Sequence, residues 1–298
     1  MSIIKRFFDY TEITTKIASV FPFLVTLGYC FFLNRSINAK DSVLFFVAML
    51  LFDMTVTMIN NYTDRNHENR VYFSQPVMLA MIFCGVVFAA LIGLYLSWIH
   101  GTAFLLAGIF CFVVGIAYTF GPAPISRSPY GEVFSGFTMG FVLPFLAITI
   151  NAPPLVTIEF TNWNAVVSLD LPGLLKLAFV CIPLIFCIAN IMLANNICDI
   201  ETDKSFRYTM ARHIGRDNAL RLFAALYVFA YLGIIAAFIM GAIPWPCLLV
   251  LVTAIWVYKN VKRFRIKQTK SETFVLSTRN HLIILIPYTI LMFLGALL

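Results

Sequence analysis

Charge is what this chain has least of. Charged residues make up 12% of its 298 positions, and only 14 are acidic. A soluble domain carries about 25% charged residues. With 61% apolar residues and a mean hydropathy of +0.89, the shortage excludes a water-soluble fold and indicates an integral membrane protein. Alternating polarity is also missing: the apolar runs are continuous, which excludes a membrane β-barrel and indicates no strands. The seven cysteines lie mostly within apolar runs without C-x-x-C spacing, so neither a disulfide framework nor a zinc site is expected. No Pro/Gly/Ser linker or low-complexity stretch divides the chain, so one membrane domain is expected over 1–298. The first apolar run lacks an A-x-A cleavage site and is taken as a span, not a signal peptide.

What is present is a series of runs long enough to cross a bilayer as helices of about 17 to 25 residues. They fall at 17–33, 43–61, 77–98, 102–120, 133–151, 174–198, 219–241, 243–258 and 281–298. The expected fold class is therefore all-α, a transmembrane bundle of about nine helices. The net charge of +7 follows topology, not nucleic-acid binding. With the N-terminus inside, only Arg35, Lys40 and Lys176 fall outside, and the other 18 of 21 basic residues fall inside, where the positive-inside rule puts them. This predicts a multi-pass cell-membrane protein with its polar loops facing the cytoplasm. The basic run 259–270 reads as a topology determinant in contact with lipid headgroups.

One polar pattern occurs twice. Asn60-Asn61-x-x-Asp64-x-x-x-Glu68 ends the second run, and Asn195-Asn196-x-x-Asp199-x-x-x-Asp203 ends the sixth. These short windows hold five of the 14 acids. Acids at i and i+4 share a helix face, so each copy offers two carboxylates one turn apart. Mg²⁺ takes oxygen ligands from one or two carboxylates plus substrate phosphates, making Asp64, Glu68, Asp199 and Asp203 the candidate ligands. Asn60, Asn61, Asn195 and Asn196 add neutral oxygens or orient water. Lys204, Arg207 and Arg212 follow the second copy and could neutralise a departing diphosphate, stabilising charge that grows in the transition state. A carbocation left behind would need aromatic faces and a dry pocket. A third inside segment, Tyr118-Thr119-Phe120-Gly121-Pro122-Ala123-Pro124-Ile125, brings Tyr118 and Arg127 to the level of the acids. Asp53, deep in the second run, reads as a helix–helix hydrogen bond.

On these motifs the chain resembles the UbiA superfamily of intramembrane prenyltransferases, which typically carry NDxxDxxxD after the second span and DxxxD after the sixth. Here Asn61 and Glu68 stand where Asp is usual. The stretch NNICDIETDKSFRYTMARHIG, together with YTFGPAPI followed by Gly131-Glu132, is similar to the 1,4-dihydroxy-2-naphthoate branch of menaquinone biosynthesis. The resemblance implies nine helices around a central cavity capped by cytoplasmic loops. It also implies a polyprenyl diphosphate bound through Mg²⁺ to the two motifs, and an aromatic acceptor that is alkylated. Asp64, Asp199, Asp203, Lys204 and Tyr118 would be catalytic. Lys16, where the family often has Arg-Pro, would contact an anion, as would Arg127. A 4-hydroxybenzoate acceptor needs the same chemical groups, and a secondary transporter with ion-binding acids is the alternative from another class. Transporter sites, however, sit near the bilayer midplane on interrupted helices, whereas these acids end their spans.

Overall fold

The computed structural model describes residues 2–68, 72–161, 164–201 and 207–298, without the side chains of 64–68 and 161. A short helix α1 (Ile3–Thr11) precedes α2 (Ile17–Asn34), α3 (Ala39–Glu68), α4 (Gln75–His100) and α5 (Thr102–Thr119). Then α6 (Gly131–Phe137) runs through a π-helical turn (Thr138–Val142) into α7 (Leu143–Asn151) as one rod. A hairpin of β1 (Val156–Thr161) and β2 (Asn164–Leu169) leads to α8 (Leu171–Cys198), α9 (Met210–Ile214) and α10 (Arg216–Ile239). A 3-10 stretch (Trp245–Thr253) continues into α11 (Ala254–Ile266), and α12 (Val275–Leu297) closes the chain.

Among the described residues, eight helical rods are long and apolar enough to cross a membrane. The sequence run at 243–258 is not among them, because it begins as a 3-10 stretch and ends in lysines and arginines. Its neighbours nevertheless set it alongside two of the spans. Pro244 and Pro246 abut Gly295 near the end of α12, Tyr231 of α10 bonds Thr253 at 2.8 Å, and Asn260 bonds Asn280 at 2.8 Å. Farther along, Phe264 packs against Phe223 of α10 with ring centroids 4.6 Å apart. The segment thus lies antiparallel to two spans along most of their length, where the expected ninth run would stand, though among the described residues eight helices and not nine meet the length and hydropathy of a span. Its helix continues to Ile266, beyond the end of the apolar run, because backbone hydrogen bonds do not stop where lipid does.

The hairpin corrects the expectation that strands are absent. β1 and β2 pair antiparallel from Val156 opposite Leu169 to Thr161 opposite Asn164. The alternation Val156, Ile158, Phe160 is the strand signal within the stretch that reads as a loop between two spans.

The first and last spans meet, with Gly28 of α2 against Met292 of α12. The most buried span is α8 and the least is α4, so α8 is the inner post of the bundle. Gly136 and Gly140, one turn apart on the α6–α7 rod, lie against Ile185 of α8; a Cβ on Gly140 would stand 2.6 Å from the Ile185 backbone. That close approach carries Glu132, one turn earlier on the same face, up to the end of α8.

Candidate functional site

Both motif helices end on the same side of the bundle. At about 1.5 Å per residue, the 30-residue α3 and 28-residue α8 outrun the roughly 30 Å hydrocarbon layer, so their last turns reach the polar boundary. Asp199 is the C-cap of α8 and is nearly buried; its Oδ2 accepts from Lys270 Nζ at 2.6 Å. Asp203 and Lys204 lie outside the described residues, as do the side chains of Asp64 and Glu68.

The two asparagine pairs divide in the same way. Asn61 and Asn196 are both 7% exposed and both donate their amides inward. Asn61 Nδ2 donates to the Tyr10 carbonyl at 3.0 Å, and Asn196 Nδ2 donates to Glu132 Oε1 at 2.9 Å. Asn60 and Asn195 are half-buried, with no side-chain hydrogen bond to a described residue. Each of these stands four positions before its motif's first Asp and so shares that face of the helix. The first Asn of each copy thus accompanies the acids, and the second braces the helix.

The braces are substantial. Tyr10 is fully buried, its hydroxyl donates to the Met58 carbonyl at 3.1 Å, and its ring packs on Tyr72 with centroids 5.1 Å apart. Helix α1 is thereby fastened across the last turns of α3. On the other side, Glu132 is 5% exposed and its second oxygen, Oε2, has no partner among the described residues. A buried carboxyl oxygen without a donor is costly, so the Asn196 amide is a major support for Glu132.

Lys16 is buried, and its ammonium is engaged by Asp53 Oδ1 at 2.9 Å, the Asp53 carbonyl at 3.2 Å and Thr57 Oγ1 at 2.5 Å. Ser19 donates to the other Asp53 oxygen at 2.6 Å. Asp53 therefore joins α2 to α3, as its depth in the sequence suggests. Tyr118 places its hydroxyl beside Gly131, 3.5 Å from where a Cβ would lie. The loops after α5 and α8 are joined, because the Tyr208 amide donates to the Arg127 carbonyl at 2.9 Å. Arg212 Nη1 donates to the Arg207 carbonyl at 3.2 Å. Arg127, Arg207 and Arg212 are thus gathered at the end of the bundle where Asp199 lies. Sequence reasoning passed over Glu132 and Lys270, which touch Asn196 and Asp199. Glu132 was visible only as half of a Gly-Glu pair and Lys270 only as one of many basic loop residues.

The donor set is all oxygen: the Asp199 carboxylate with the Asn60 and Asn195 amides on the motif faces, and the Glu132 carboxylate behind. No cluster of three or more His, Cys, Asp or Glu side chains occurs among the described residues. Hard oxygen donors without thiolate or imidazole suit Mg²⁺, not zinc.

Comparison with known proteins agrees with this architecture. The profile of the UbiA prenyltransferase family matches residues 19–285. The chain belongs to that family. It is 32% identical over 171 residues to the 1,4-dihydroxy-2-naphthoate octaprenyltransferase of Bacillus subtilis, a match covering 57% of this chain; the match spans about half, 49%, of that relative's length. Its fold is similar to that of a UbiA homolog from Archaeoglobus fulgidus bound to GPP and Mg²⁺, with a TM-score of 0.68, 13% identity, and 98% and 100% of the two chains covered. The apo UbiA homolog from Aeropyrum pernix K1 aligns with a TM-score of 0.61 at 18% identity, covering 95% and 96% of the two chains.

Proposed function

We propose that the chain transfers a polyprenyl group from its diphosphate to an aromatic acceptor, and that the acceptor is 1,4-dihydroxy-2-naphthoate. The observation that carries this reading is the like construction of the two motif ends, where Asn61 and Asn196 each brace the helix from within while Asn60 and Asn195 stand one turn before the first Asp of their motif. Asp64, Glu68, Asp199 and Asp203, with Asn60 and Asn195, would hold Mg²⁺. Bound there, the metal would neutralise diphosphate charge.

The chain's own residues do the rest. Arg127, Arg207 and Arg212, gathered at that end of the bundle, would stabilise the diphosphate charge that grows as the allylic C–O bond breaks, and Lys204 would add its charge. Tyr118 would offer its ring to the electron-poor prenyl carbon. The apolar spans exclude water, which would otherwise capture that carbon. A ring carbon of the acceptor forms the new C–C bond, the carboxylate leaves as CO₂, and diphosphate departs. The support for the naphthoate is the B. subtilis relative and the NNICDIETD and YTFGPAPI segments.

Purified protein given a polyprenyl diphosphate, Mg²⁺ and dihydroxynaphthoate is expected to release CO₂ and form demethylmenaquinol, the hydroquinone oxidation level of the acceptor being kept. Prenylation of 4-hydroxybenzoate with the carboxylate retained, and no reaction on the naphthoate, would refute the acceptor while leaving prenyl transfer intact. The positive-inside distribution supports a cytoplasmic side for this site and the N-terminus. A cysteine introduced at the exposed Ser271 should resist an impermeant thiol reagent in intact cells; rapid labelling from outside would reverse the orientation.

A further inference from the structure

The basic run 259–270 is not one diffuse positive surface. Lys267 is engaged by Glu272 at 2.7 Å and Lys270 by Asp199 at 2.6 Å. The remaining basic residues near the α11–α12 junction converge. Trp256, Lys259, Asn260 and Arg263 stand at i, i+3, i+4 and i+7 of α11 and share one face. The other face of that helix, Val257, Val261 and Phe264, is buried against the bundle. Across from the basic stripe stand Arg279 and Ile283, one turn apart on α12. With Lys262, the two stripes line an open groove of about 520 Å³. Asn260 donates to Asn280 Oδ1 at 2.8 Å, tying the two helices together beside it.

Among the described residues, Lys259, Lys262, Arg263 and Arg279 form no ion pair. A second hollow of about 310 Å³ continues from Arg263 and Arg279 to Glu272, the acid that Lys267 engages. Four uncompensated cations around one concavity repel each other until an anion enters. Arginine forks match phosphate oxygens bidentately, and lysines add point charge.

We propose that this groove binds the headgroup of an anionic phospholipid. Its position favours a lipid over a soluble anion. It opens on the outer side of α11 and the membrane-span helix α12, where Trp256 is half exposed and Ile255, Tyr258 and Ile266 are exposed on the same helix. Tryptophan and tyrosine mark the headgroup level of a bilayer, and Trp256 and Ile283 give an acyl chain apolar walls that a free phosphate would not need. Basic pockets between transmembrane helices suit acidic headgroups, each Lys or Arg adding roughly a fivefold gain in binding. The site lies outside the motif faces and does not depend on the proposed reaction.

The test uses the full-length protein in phosphatidylcholine nanodiscs doped with phosphatidylglycerol. The native protein should retain phosphatidylglycerol selectively in native mass spectra. The triple variant Lys259→Gln/Arg263→Gln/Arg279→Gln should bind it roughly a hundredfold more weakly, and Lys267→Gln, from the same run, should bind it normally. Without any charge variant, brominated phosphatidylglycerol should quench Trp256 fluorescence, measured as the difference from Trp256→Phe, far more than brominated phosphatidylcholine does. Three results would each overturn the proposal: equal quenching by the two lipids, unchanged retention in the triple variant, or displacement of the lipid by millimolar inorganic phosphate.

Discussion

The ends of α3 and α8 carry almost the same residues, yet they are braced by different means. At α8 the brace is a carboxylate: Asn196 holds Glu132 on a rod that two glycines press against the helix. At α3 it is a backbone carbonyl: Asn61 holds Tyr10, and with it the N-terminal helix. The difference explains why Asn61 departs from the aspartate usual in the family. A carboxylate has no proton to donate, so an Asp at 61 would set an oxygen against the Tyr10 carbonyl oxygen. In this chain the position belongs to the packing of α1, and Asn60 is the one of the pair left to share the acids' helix face.

The largest effect should come from the acids. Asp199→Asn is expected to lower turnover at least ~10²-fold, the scale of losing one strong electrostatic contact, in a Mg²⁺-dependent diphosphate-release assay. Normal turnover would remove Asp199 from the site. Next in size is the α8 brace. Asn196→Leu leaves the buried Glu132 without its donor and should cost about 1 to 3 kcal/mol or somewhat more, seen as a lower melting temperature of the purified protein. Adding Glu132→Gln should recover much of that loss, because a neutral amide is cheaper to leave unmatched than a carboxylate. An unchanged melt in the single variant would mean that Glu132 is neutral or otherwise satisfied.

The spans, the two motifs and their common end of the bundle were legible because hydrophobic length and charge asymmetry are strong, local signals. The β-hairpin was missed because the stretch between the runs ending at 151 and beginning at 174 reads as a long outside loop, and a single pair of six-residue strands is a weak signal. The division of labour within each Asn pair was hidden for a different reason. Helical periodicity says that Asn60 and Asn61 face about 100° apart, but only packing decides which direction is the interior. The partners of the second asparagines, Tyr10 and Glu132, lie 51 and 64 positions away. Lys270 was obscured by company: one lysine among many in a basic loop gives no sign that it reaches α8.

The Asn pair itself can be put to a smaller test. Asn60→Ala should lower turnover, about tenfold, with an unchanged melt. Asn61→Asp should do the reverse, changing turnover little while loosening α1, which would appear as faster proteolysis near Tyr10. Equal consequences for the two substitutions would dissolve the distinction between site-facing and bracing asparagines.

The smallest effect concerns Lys270, and its sign is informative. Its side chain is 56% exposed while that of Asp199 is 11% exposed, so the pair is wet on one side and contributes at most about 1 kcal/mol to stability. Lys270→Gln should therefore barely move the melt. Its ammonium nonetheless lies against the carboxylate that a divalent cation would need. Removing the positive charge should ease cation entry, lowering the Mg²⁺ concentration for half-maximal activity up to about fivefold. The gain should shrink as salt screens the lysine. A higher Mg²⁺ requirement in Lys270→Gln would mean the opposite: the lysine would then serve the bound diphosphate, and the second motif would extend to the loop between α11 and α12.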